Sequence, residues 1–152
     1  MKLAEALQER ADLNRRIDEL RRRLGNSVLV QEGEALAEDP DALLTELDAA
    51  IARLETLMAQ INLTNCRTKA DGLTLTELIA KKDALLLQLS AYRDLVYTAG
   101  QNTSRARGTE IKVKATLKAS ELQKRVDAMA QEARRLDNLL QETNWKTRLI
   151  EK

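Results

Sequence analysis

No histidine occurs in the 152 residues. That removes the commonest general base and the commonest metal ligand. Ser-His and Cys-His nucleophile pairs are excluded, as are His-containing zinc sites and the Glu-x-x-His di-iron pattern of helical bundles. The one cysteine, Cys66, cannot form a disulfide within the chain and agrees with a reducing compartment. Phenylalanine is missing and aromatic residues make up only 2%. Few rings are therefore available for base stacking. The 25 basic and 24 acidic residues nearly cancel, so no global field argues for nucleic acid. No apolar run approaches the roughly 18 residues that a membrane span needs, and the first residues, Met1-Lys2-Leu3-Ala4-Glu5, turn charged at once. These absences favour a cytoplasmic protein, with neither nucleic acid nor a membrane as its partner. Proline occurs once and glycine five times, so few residues interrupt long helices.

The apolar residues that remain are mostly Leu, Ala and Ile, set at helical spacing. The strongest signal runs from Thr74 to Val96. Thr74 and Glu77 match a capping box. Leu75, Leu78, Lys82, Leu85, Leu89, Tyr92 and Val96 then form one stripe in steps of three and four. Ile79, Leu86 and Leu87 widen that stripe, and a helix apolar on several sides needs several neighbours.

The spacing predicts three more helices. The first runs from Lys2 to Leu24, with Leu3, Ala6, Arg10, Leu13, Ile17, Leu20 and Leu24 on one face, and Gly25-Asn26 as its end. The second runs from Pro40 to Asn65, with Asp39 as N-cap and a seam of Leu44, Leu47, Ile51, Leu54, Met58 and Ile61. Ile51 would sit in the middle of that seam. The last runs from Lys118 to Thr143, with Ser120 and Gln123 as a capping box and Leu122, Val126, Met129, Ala133, Leu136 and Leu140 as its stripe. Asn144-Trp145 marks its end. Together these describe a single all-α domain over 1–152, an antiparallel four-helix bundle.

Two long connections, residues 25–40 and 99–117, lie at the same end of such a bundle. Each contains one strand-like piece, Val28-Leu29-Val30 in the first and Glu110–Ala115 in the second. A lone strand is not stable, so Val28–Gln31 is expected to pair with part of Glu110–Ala115 in a small ribbon. The first connection carries Glu32, Glu34, Glu38 and Asp39 with no basic residue. The second, with Lys118, carries five basic residues against Glu110 alone. Glu32 and Glu34 opposite Arg105 and Arg107 therefore form a candidate loop-end surface.

Each motif has a plainer reading. Arg105 and Arg107 with Lys112 and Lys114 could bind phosphate, but a strand face meeting the acidic loop is favoured. The acidic loop could hold a hard cation, but its spacing is not that of an EF-hand. Arg10 and Lys82 interrupt apolar stripes; they either meet a carboxylate, with Asp83, Glu46 and Asp127 as candidates, or snorkel to the core edge. Cys66 beside Arg67 could be a redox thiol, though a passive helix-end cysteine is favoured. No Gly-rich phosphate loop is present. The residues thus name no catalytic, cofactor or metal site.

Several segments together resemble a family of small bacterial proteins known as septicolysin-like. They are Met1-Lys2-Leu3-Ala4-Glu5-Ala6-Leu7, Arg10-Ala11-Asp12-Leu13, Gln31-Glu32-Gly33-Glu34 and Glu38-Asp39-Pro40. Further along are Ile61-Asn62-Leu63-Thr64-Asn65, Leu73-Thr74-Leu75-Thr76 and Gln141-Glu142-Thr143-Asn144-Trp145. The resemblance implies a small helical protein of unknown function, and its name suggests a pore-forming or membrane-acting cytolysin as an alternative role. It assigns no functional residue. The residues themselves favour a non-enzymatic protein that self-associates through Ile79, Leu86 and Leu87 and presents its loop end to a protein partner.

Overall fold

The computed structural model describes residues 1–101 and 111–151. It is all-α, with four long helices and one small two-stranded ribbon. The elements are α1 (Leu3–Ser27), α2 (Pro40–Arg67), β1 (Lys69–Ala70), β2 (Leu73–Thr74), α3 (Leu75–Ala99) and α4 (Ala119–Lys146). Two compact units emerge, one of Met1–Lys69 with Thr143–Lys152 and one of Ala70–Glu142.

The first unit is a helical hairpin. Ion pairs across it show that α1 and α2 run antiparallel. Arg53 donates twice to Glu9, at 2.6 and 2.8 Å, while Arg16 meets Glu46 and Arg23 meets Glu38. The stripe expected on α1 is the one observed, with Leu3, Ala6, Leu20 and Leu24 buried. The helix passes through Gly25-Asn26 to Ser27, most of another turn, instead of ending there. Ser27 Oγ donates to the Arg23 carbonyl at 2.8 Å, and the buried Ser27 extends the stripe beyond Leu24.

On α2 the seam is turned relative to the sequence reading. Leu43, Leu57, Ile61 and Thr64 are buried, whereas Leu44, Ile51 and Met58 are each about half exposed. Leu43 joins Leu20 and Leu24 in a core cluster, with Leu47 packed against it. Glu46 and Arg53, which reach α1, lie on the opposite edge of the seam from Ile51.

The C-terminal tail closes the open end of this hairpin. The Leu3 N–H donates to the Thr147 carbonyl at 2.9 Å and the Leu149 N–H to the Met1 carbonyl at 3.0 Å. Leu149 is buried, and the Ile150 N–H reaches Thr64 Oγ1 at 2.9 Å. α4 runs on past Asn144-Trp145 to Lys146, where the Thr147 N–H still bonds the Thr143 carbonyl.

The ribbon lies elsewhere than expected. Val28–Gln31 forms no strand; Leu29 is 87% exposed, and the Glu34 N–H turns back to the Gln31 carbonyl at 3.0 Å around Gly33, whose φ is +86°. A chain closing that turn cannot stay extended. β1 and β2 instead form a hairpin joined by Asp71 and Gly72, with φ of +51° and +78°. Two successive positive φ values are the signature of a type I′ turn, which suits Asp-Gly.

The second unit contains α3 and α4 as far as Glu142. Thr74 caps α3 as expected: its hydroxyl accepts from the Glu77 N–H at 3.1 Å, and the Glu77 carboxylate accepts from the Thr74 N–H at 2.7 Å. Thr74→Ala is expected to cost about 0.5–2 kcal/mol, read as a lowered urea midpoint. A change under about 0.2 kcal/mol would show that the ribbon, not the cap, starts the helix. Both expected stripes are seen, with Leu75, Leu78 and Leu89 buried on α3 and Leu122, Val126, Ala133, Leu136 and Leu140 on α4. Ser120, however, lies inside α4, and the Gln123 side chain donates to Asp127 at 2.8 Å.

Candidate functional site

Lys82 interrupts the apolar stripe of α3 because it crosses to α4. Its Nζ stands 3.2 Å from Asp137 Oδ1, a carboxylate outside the three considered from the sequence. Ten residues on, Arg125 donates to the Tyr92 hydroxyl at 2.7 Å and lies 4.7 Å from the centre of its ring. These two ties bracket an open groove of about 340 Å³, floored by Leu86, Leu89, Ala130 and Ala133. The alanines leave the room that larger residues would fill. Arg93 and Arg134 stand at its rim, without an ion-pair partner among the described residues.

The three proposed interface residues all stand out from α3: Ile79 is 36% exposed, Leu86 44% and Leu87 74%. They are not isolated. Ile79, Asp83, Leu86, Ser90, Arg93 and Tyr97 recur in steps of four and three, which places them on one face beside the buried stripe. All six are exposed. The sequence reading found the apolar members and missed Asp83, Ser90, Arg93 and Tyr97. Their heptad spacing was legible, but polar residues hide an apolar periodicity.

Glu32 and Glu34 are exposed in the α1–α2 connection. Arg105 and Arg107 lie outside the described residues. Glu38 turns back to Arg23 of its own hairpin, and hydrogen bonding to that guanidinium holds its carboxyl below the usual range. Arg53 does the same for Glu9, and Arg135 for Glu132. These shifts belong to surface ion pairs and mark no acid or base tuned for proton transfer near neutrality. Among the described residues no cluster of acidic or thiol groups is arranged to hold a metal ion. Cys66 is exposed and forms no disulfide.

Residues 10–149 match the model of a family described as a family of unknown function, DUF6847. No curated protein matches the chain in sequence. A solved structure, titled as that of a functionally unknown conserved protein from Corynebacterium diphtheriae, is 40% identical. The match covers 99% of each chain, with a TM-score of 0.91. Neither finding points to the septicolysin-like proteins, so the resemblance drawn from short segments is corrected. Segments such as Glu38-Asp39-Pro40 and Leu73-Thr74-Leu75-Thr76 are helix starts, which unrelated helical proteins share for the same capping reasons. No helix among the described residues is long and apolar enough to cross a membrane.

Proposed function

The chain belongs to the DUF6847 family of unknown function, and from that premise we propose that it is a non-enzymatic helical protein that acts by self-association and by binding a protein partner. One observation carries this reading: α3 has a second row of large apolar side chains, Ile79, Leu86 and Leu87, beside the stripe it already buries. An apolar surface next to a packed seam lowers its free energy by meeting another surface. A second copy is the simplest source, because two-fold symmetry covers both surfaces at once. The exposed loop carrying Glu32 and Glu34 remains available to a different partner. We place this activity in the cytoplasm, where an exposed thiol such as Cys66 stays reduced.

Sedimentation at high micromolar concentration tests the reading. The expected result is a species of twice the 17.1 kDa chain mass. Changing Ile79 and Leu86 together to Glu is expected to leave helicity intact and shift the protein to monomer. A parent protein that sediments as a monomer under these conditions would overturn self-association.

A further inference from the structure

We infer that α3 pairs antiparallel with α3 of a second copy, about a two-fold axis level with Gln88, in the register that sets Asp83 against Arg93. This rests on the self-association proposed above and specifies its geometry. The face of Ile79, Asp83, Leu86, Ser90, Arg93 and Tyr97 has the alternating four-and-three spacing of a coiled-coil seam. In an antiparallel pair, the two kinds of seam position face each other in successive layers. With the axis at the height of residue 88, Ile79 faces Tyr97, Asp83 faces Arg93, and Leu86 faces Ser90. Symmetry makes each pairing twice. Asp83 and Arg93 have no ion-pair partner among the described residues, so both are available for this contact.

Charge selects this arrangement over its rivals. A parallel pair would set Asp83 against Asp83 and Arg93 against Arg93, two like-charge layers in one seam. Sliding the antiparallel pair by one heptad puts Asp83 opposite Leu86 or Gly100 and Arg93 opposite Thr76 or Ser90, so neither charge finds its mate. Only one register satisfies both. It also accounts for Leu87, 74% exposed and one step off the seam. Positions of that kind meet their own equivalents across an antiparallel two-fold axis, so Leu87 would lie beside Leu87 of the second copy. The seam from Ile79 to Tyr97 is about 27 Å long at 1.5 Å per residue. That is short for a stable interface, so a dimer dissociating in the micromolar range is expected.

Charge reversal and its rescue test the register. Asp83→Arg and Arg93→Asp are each expected to weaken the dimer about tenfold or more, because each puts like charges together twice. The double variant, Asp83→Arg with Arg93→Asp, is expected to recover parent affinity in sedimentation. A second test places Leu87→Cys in a Cys66→Ser background and adds a short bis-maleimide. Cross-linking to covalent dimer is expected, and Gln88→Cys, on the opposite side of α3, is expected to give little. A parent protein that dimerises yet ignores both single reversals, or fails to cross-link through position 87, overturns this register and leaves self-association standing. A monomeric parent overturns both.

Discussion

Leu57→Ala is expected to destabilise the protein by about 2–5 kcal/mol, and Ile51→Ala by less than about 1 kcal/mol. The side chains are of similar size and lie six residues apart on α2. Leu57 is 0% exposed, so its truncation removes buried apolar area and leaves a cavity that the hairpin must tolerate. Ile51 is 46% exposed, so its truncation removes surface that is already partly in water. Urea unfolding followed by circular dichroism reads both losses. Equal losses would show that the seam of α2 runs through Ile51, as its spacing alone suggested, and that the hairpin is packed on a different face.

The second large effect is expected at Thr64. Replacing it with Val keeps the shape of the side chain and removes its hydroxyl. That hydroxyl is fully buried, donates to the Gln60 carbonyl at 2.7 Å and accepts from the Ile150 N–H at 2.9 Å. Losing it leaves the Ile150 amide without its partner, at a cost of about 1–3 kcal/mol. The tail that follows α4 is held at this end by Thr64, by Leu149 and by two backbone bonds to the first residues. Hydrogen exchange at Ile150 is therefore expected to speed up in Thr64→Val and to stay slow in Thr64→Ser. Unchanged exchange in the Val variant, with a stability loss under about 0.5 kcal/mol, would show that packing of Leu149 holds the tail without the hydroxyl.

Three of the four helical stripes could be read from spacing alone. On α1 and α4, apolar residues occupy one face clearly enough that only one face can be buried, and on α3 the longest apolar stripe is the buried one. The same holds for the start of α3, because a threonine followed by glutamate three residues on satisfies the first amides locally. Asp71-Gly72 also carried its turn in the sequence, since few residue pairs accept two positive φ values in succession. That signal was present, but the β-branched residues around Val28 drew the ribbon to the wrong place.

α2 shows where local spacing stops deciding. Leu43 and Leu44, Ala50 and Ile51, and Leu57 and Met58 are adjacent apolar pairs, and Leu47, Leu54 and Ile61 belong equally to a seam through either set. The two seams share half their members and differ by a rotation of about 50°, which helix geometry permits at no local cost. Packing against α1 decides between them, with Leu43 beside Leu20 and Leu24 and with Glu46 and Arg53 reaching Arg16 and Glu9. On α3, likewise, the sequence identified Ile79, Leu86 and Leu87 as surplus apolar residues. Their exposure, and that of Asp83 and Arg93 beside them, became visible only in the structure. Periodicity determines which faces of a helix can be buried; the neighbours that tertiary packing supplies decide which of them is.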